Sequence, residues 1–247
     1  MLSFAEYMKN VDECWQFSLD AAWDQNRRHP ELSCGKCLRE RSFFWTLLGT
    51  NQAPVFEKAC LLADSGVEKK DMDQLLPEVH EWMEKRYPPT LDNPQYEQGR
   101  SFRYEVYGKR HYCYLHIRNA KCPESFLGDA QHVADNLHYI MDTAEKQDGC
   151  DTLYTATWLN SHPAFLRFFP SEWLQNLANT ADFGPTLGWQ GQFINRFGLL
   201  NKSTAKKFLE TGVLPLARRE SYCSFNAIRS HLNALMKNHC QIKLQLS

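Results

Sequence analysis

Residues 102–117, FRYEVYGKRHYCYLHI, and residues 151–159, DTLYTATWL, decide the fold class. Phe102, Tyr104 and Val106 alternate with Arg103, Glu105 and Tyr107, the period of a half-buried strand. Gly108 and Lys109 suit a turn, and His111–Ile117 reads as the antiparallel partner. Between the two stretches the period changes. Val133, Leu137, Ile140, Met141 and Ala144 recur at helical spacing over 130–146, and Gly149 marks the stop. Residues 151–159 are then rich in β-branched and aromatic side chains, as strands are. Strand, helix, strand predicts a parallel crossover, which places the C-terminal ends of both strands on one edge of a sheet. Ligands of open α/β sheets favour that edge, above all where neighbouring strands diverge.

The residues before the sheet read as helices. Ser3 and Glu6 have capping-box spacing, and Phe4, Tyr7, Met8, Val11, Trp15 and Leu19 follow as an apolar stripe. Ser33 suits the cap of a second helix running through Leu38, Phe44, Trp45 and Leu48 to Gly49. Pro54 suits the first turn of a third, which stops near Gly66, and Asp71 with Gln74 opens a fourth that carries Met72, Leu75, Leu76, Val79, Trp82 and Met83. Pro88, Pro89 and Pro94 then forbid a continuous helix and make the best linker candidate. After the sheet, Ser171 suits a short helix, 184–200 a loop with a short helix, Lys202–Glu210 a helix stopped by Gly212, and Phe225 onward a last one. The expected class is mixed α/β: an N-terminal helical lobe over 1–90, then a mixed α/β domain over 99–247. That domain holds a hairpin, a crossover helix and a helical C-terminal part.

Composition narrows the function classes. The 247 residues are 43% hydrophobic and 23% charged, ordinary for a folded protein with a sizeable core. No apolar run approaches the roughly 20 residues of a membrane helix, and the first residues lack a basic start followed by an apolar segment, so a cytoplasmic protein is expected. Nine cysteines cannot all pair within one chain, and they are expected to be reduced and mostly buried. A net charge of −1 gives no general attraction to nucleic acid, so none is expected as a partner. Charge is uneven: residues 184–247 carry nine basic and two acidic side chains. That excess, with Arg218 and Arg219, either meets an anionic ligand or forms a solvated face.

The polar residues at the expected sheet edge are the first site candidates. His116, Arg118 and Asn119 end one strand; Asn160, Ser161 and His162 follow the other. Histidine suits proton transfer near neutral pH, and arginine grips a carboxylate or phosphate with two parallel bonds. His116 and His162 are therefore the expected catalytic pair, with Arg118, Asn119, Asn160 and Ser161 binding substrate. The bland readings stand beside these: His162 simply ends its strand, the asparagines form local turns, and Arg118 pairs with an acid. Tyr112 and Tyr114 share the alternation face of His116, as a pocket lining or an aromatic ladder, and Glu105 either orients a histidine or joins a charge pair. A second candidate, for cofactor binding, is Gly188, Gly191 and Arg196, where glycine lets backbone approach a ligand; it is neither a P-loop nor a dinucleotide fingerprint.

Metal and covalent chemistry are weakly supported. Cys34 and Cys37 have the spacing of half a zinc site, yet no second pair exists, and a redox role needs a preceding strand that is not evident. HExxH and GxSxG are both missing. No metal is expected, and the cofactor and oligomeric state stay open. Three functions fit. The first is a small-molecule transferase or hydrolase acting on a phosphate- or carboxylate-bearing substrate through histidine acid/base chemistry. The second is an acyltransferase using acyl-coenzyme A. The third is a non-enzymatic module that binds a ligand or a protein.

Overall fold

Ser3 starts the first helix: its hydroxyl accepts from the Glu6 amide while the Glu6 carboxylate accepts from the Ser3 amide, a complete capping box. The computed structural model describes residues 2–87, 97–108, 111–180, 184 and 186–245, with side chains through residue 237. Its helices and strands, in chain order, are α1 (Phe4–Arg28), α2 (Cys34–Glu40), α3 (Phe44–Leu48), α4 (Pro54–Asp64), α5 (Leu76–Glu84), β1 (Phe102–Tyr107), β2 (Tyr112–Ile117), α6 (Ala130–Asp148), β3 (Thr152–Thr157), α7 (Pro163–Leu166), α8 (Ser171–Gln175), β4 (Ala178–Asn179), α9 (Leu187–Gln190), α10 (Lys202–Thr211), β5 (Arg219–Ser224) and α11 (Phe225–Gln245). This is the mixed α/β class expected, with the helical lobe first, the hairpin and crossover in the middle and helices at the end. The linker candidate Pro88–Pro94 and the turn residue Lys109 lie outside the described residues.

The chain forms two compact units, residues 1–90 with 181–215 and residues 91–180 with 216–247. The first is helical. Its core gathers Trp15, Phe17, Phe44, Phe56, Phe193 and Phe208. Phe44 stacks on Phe56 at 5.2 Å, and Phe17 meets Phe193 at 4.9 Å. The expected second helix is two, α2 and α3. Ser42 breaks it by donating to the Leu38 carbonyl and accepting from the Phe44 amide, so its hydroxyl competes with the backbone ladder. The expected fourth helix opens as a 3-10 turn over Lys69–Leu75, and the α-helix begins only at Leu76, which leaves Pro77 in the first turn.

One expected boundary is corrected. Residues 181–215, expected in a domain running from 99 to 247, belong to the helical unit. The reason is apolar burial: Phe193, Leu200, Ala205 and Phe208 complete the core around Phe17 and Phe43. Gln190 and Gln25 add hydrogen bonds to the Ser42 and Gly212 carbonyls.

The second unit is a five-stranded mixed sheet in the order β1-β2-β3-β5-β4. β1 and β2 pair antiparallel over six positions, from Phe102 with Ile117 to Tyr107 with Tyr112. α6 crosses over, capped by Asp129 and ended by Gly149 in the left-handed region that glycine tolerates. It returns the chain so that β3 lies parallel beside β2. β5 pairs antiparallel with β3 over six positions. The side chains of Phe102, Cys113, Leu115, Leu153 and Cys223 point to one face, where they meet Val133, Leu137 and Met141 of α6, Phe165 of α7, Trp173 of α8, and Ile228 and Leu232 of α11.

Candidate functional site

β2 and β3 are parallel neighbours, yet they pair at two positions only, Cys113 with Leu153 and Tyr114 with Tyr154. Beyond that the backbone ladder stops, and the Thr155 hydroxyl donates to the Leu115 carbonyl at 2.9 Å instead. The C-terminal ends of the two strands thus share one edge with a break between them. Directly after β2 come residues 118–129, then the N-terminus of α6. Lys121 pairs with Asp129 there at 2.9 Å, and Arg167 donates to the Leu127 carbonyl.

The edge residues are largely occupied by the fold. Arg118 donates to the carbonyls of Arg100 and Glu97 at 2.8 and 3.1 Å and so ties the chain entering β1 to the end of β2. The Asn119 side chain closes the turn that follows, accepting from the Lys121 amide and donating to the Glu124 carbonyl. Asn160 is fully buried: it donates to the Thr155 and Arg219 carbonyls and accepts from the Trp173 indole. Ser161 donates to the Ala217 carbonyl at 2.7 Å. His162 caps α7, its Nδ1 accepting from the Ala164 amide, and its ring lies edge-on to Trp158. The residues expected at the edge are there, but Arg118 and Asn119 serve the β1 side and Asn160 and Ser161 the β5 side. Each is bonded within the fold.

The two histidines have different surroundings. α7 packs in the helix layer through Phe165, and His162 is its N-cap. His116 alternates with Leu115 and lies on the opposite face, which carries no helix of this unit among the described residues. The contacts of His162 are with Ala164 and Trp158, and those of His116, the other histidine expected as catalytic, are with a different set of residues. Tyr114 meets its ring at 4.7 Å, Arg103 is its cross-strand partner, and Glu105 Oε2 lies 3.3 Å from its Nε2, within ion-pair distance but off the line of a hydrogen bond. Burial, then the Arg103 charge, hold the His116 pKa below the ordinary histidine value, and Glu105 opposes them. The imidazole is thus neutral near pH 7. Glu105 is held low by its bond to Arg103 and so stays ionised.

The bare face continues from His116 as a row of tyrosines. Tyr107 stacks on Tyr154 at 5.6 Å, Tyr112 on Tyr154 at 6.1 Å and Tyr112 on Tyr222 at 5.9 Å, with Tyr114 tilted against Tyr154 at 5.3 Å. Tyr107 is 55% exposed and Tyr222 42%. The Tyr154 hydroxyl donates to Glu220 at 2.7 Å; burial first and this bond second push its pKa up, so it remains a phenol. The period-two pattern signalled Tyr112 and Tyr114. Tyr154 and Tyr222 join them only once the strand order is known, and Tyr222 sits in a strand that sequence reasoning missed.

The second sequence candidate belongs elsewhere. Gly188 lies in α9 and Gly191 in the 3-10 turn after it, both in the helical unit, and Arg196 stacks on Phe197 at 4.8 Å. The basic C-terminal stretch is likewise not one face. It is divided between the units, with Arg218 donating to the Ala156 carbonyl, Arg219 to Asn179, and Arg229 bonded to Asp142 and Glu145.

The Cys34–Cys37 pair is structural. Gly35 between them lets α2 approach α4 closely, because a Cβ there would collide with the Cys60 carbonyl and with Asp64. Burial pushes the Cys34 thiol up to about 12, Cys37 to about 11 and Cys60 to about 12, the opposite of a reactive thiolate. Among the described residues no group of histidine, cysteine or carboxylate side chains could hold a metal ion, and the eight described cysteines are free thiols. Among the described residues no helix is long and apolar enough to cross a membrane. Comparison with protein-family models, curated proteins and solved structures finds no match to this chain.

Proposed function

We propose that the sheet unit is an acyltransfer site that takes its acyl group from a thioester of the coenzyme A type, with His116 as general base. The observation that supports the reading is the interrupted β2–β3 ladder. Parallel neighbours that stop pairing leave a notch at the strand ends, the place ligands favour in open sheets. An extended arm bearing amides can bond to strand backbone there as an added strand would. α6 begins 13 residues after the end of β2, and basic side chains stand near that end: Lys121 pairs with the N-cap Asp129, and Arg167 donates to the Leu127 carbonyl.

His116 is suited to the proton step. A neutral, partly buried imidazole can accept a proton, and the nearby Glu105 carboxylate stabilises the imidazolium that results. The acceptor, an amine or a hydroxyl lying on the tyrosine floor, attacks the thioester carbonyl while its proton passes to His116. The C–S bond breaks, its electron pair leaves with sulfur, and the thiolate takes up a proton from the imidazolium.

Calorimetric titration of the full chain with coenzyme A, followed by thiol release from acetyl-coenzyme A with a panel of amines and alcohols, tests this. One-to-one binding that survives His116→Ala, with thiol release that does not, supports it. No binding of coenzyme A defeats it. The tyrosine row, exposed at Tyr107 and Tyr222, favours a second reading, a non-enzymatic binding surface, which predicts ligand binding on that face and no thiol release with any acceptor.

A further inference from the structure

Within the helical unit, a cavity of about 600 Å³ lies among α1, α3, the end of α5 and the loop at 194–200. Much of its lining is apolar, with Val11, Leu47, Leu48, Met83 and Ile194 among the lining residues, and Cys14, whose thiol burial pushes up to about 12, behaves as one more hydrophobe. Its rim is cationic. Lys85 and Arg86 line it, and no carboxylate does among the described lining residues. Lys85 is bonded to Glu81, which lies outside the cavity, whereas the Arg86 guanidinium sits over the Trp82 ring at 4.0 Å. Tyr7 and Asn10 also line the space; the Tyr7 hydroxyl donates to the Met83 carbonyl, and the Asn10 side chain accepts from the Leu200 amide. The size falls in the usual range of small-molecule sites, roughly 300–1,000 Å³, and the combination of apolar wall and few polar groups is typical of them.

An apolar space with a one-sign rim selects its occupant by charge. A neutral hydrocarbon would leave the rim unused, and a cationic amphiphile would meet the like charge of Arg86, Lys85 being paired with Glu81. We infer that this cavity binds a single-chain amphiphile with an anionic head, the chain in the space lined by Val11, Leu47 and Met83 and the carboxylate or phosphate at Arg86. The site lies wholly in the helical unit, so it neither needs nor follows from the acyltransfer reading.

Calorimetry of the full chain with decanoate, decyl phosphate, decanol and decyltrimethylammonium tests the inference. The expected result is one-to-one binding of decanoate or decyl phosphate, the tighter of the two naming the head group. Binding should be roughly tenfold weaker for decanol and weaker still for the cation, a tenfold step being about 1.4 kcal/mol. Arg86 is exposed, so Arg86→Gln should fold normally and bring decanoate down to the affinity of decanol. Equal affinity for anion and cation, unchanged decanoate binding in Arg86→Gln, or no saturable binding of either anion would each overturn it. Val11→Phe, which narrows the cavity, should weaken all four probes together; if that variant fails to fold, the Arg86→Gln comparison still decides.

Discussion

β2 has two neighbours, and they treat it differently. Against β1 it pairs at all six positions; against β3, a strand of equal length, it pairs at two. On the β1 side even the loop residues are drawn into the fold, as the Arg118 bonds to Arg100 and Glu97 show. On the β3 side a threonine hydroxyl takes over from the ladder halfway along. A fold satisfies its backbone groups wherever it can. Where β2 and β3 stop pairing, a side chain, Thr155, supplies the bond that the backbone does not.

The contrast can be broken most forcefully from within β2. Leu115 is 1% exposed on the covered face, whereas Tyr114, one residue away, lies on the bare one. Leu115→Ala is expected to cost about 2–5 kcal/mol in denaturant unfolding, the usual loss for a buried leucine. Tyr114→Ala should cost about 1 kcal/mol, the scale of a cross-strand aromatic pair. Equal losses would mean that the tyrosine face is a second core. Next in size is His116→Ala. Thiol release should fall about 10²-fold with affinity for coenzyme A unchanged; a matching loss for His162→Ala, which removes only the cap of α7, would return the chemistry to the strand edge.

Thr155→Val removes the one hydroxyl that holds the parting strands. It is expected to cost about 1 kcal/mol, the net worth of a buried hydrogen bond, and to perturb β2–β3 amide exchange while leaving β1–β2 protected. The smallest effect is electrostatic. Burial and Arg103 depress the His116 pKa and Glu105 raises it, so Glu105→Gln should move the NMR titration of His116 lower still. The sign carries over to stability. Above about pH 6.5 neither state holds the proton. Below it the unfolded chain is protonated first, so stability falls as pH drops toward the folded pKa. His132 is also held low by burial, so the His116 share is the difference between the wild type and His116→Gln.

Local signals were legible wherever a side chain acts on its own backbone. Ser3, Ser33, Pro54, Gly149 and Gly212 each stand at the helix end that the sequence assigns them, within two residues. The hairpin and the crossover followed from a change of period. β5 was not legible, because RESYCS buries only Ser221 and Cys223, two small side chains that make no apolar alternation. Without β5 the tyrosine row could not be assembled, since Tyr222 sits beside Tyr112 only through the order β2-β3-β5. Nor could the sequence say which polar edge residues were already committed. Asn160 looks like a substrate ligand until Trp173 and two carbonyls are found around it.

The interleaving of the two units has a consequence for biosynthesis. The helical unit begins at the N-terminus but lacks Phe193, Leu200 and Phe208 until residues 181–215 have left the ribosome. The sheet in turn lacks β5, the partner of β3 over six positions, until the chain has passed Ser224. The helical unit closes its core only after residue 215, when the sheet strands up to β4 have already been made, so the N-terminal helices do not mature as a domain ahead of the sheet, the usual order for larger proteins. Nascent chains that stop short of β5 expose the open flank of β3 together with an unfilled aromatic core. Such chains should depend on holding chaperones, and a ribosome-profiled crosslinking experiment would find chaperone occupancy persisting until β5 has emerged.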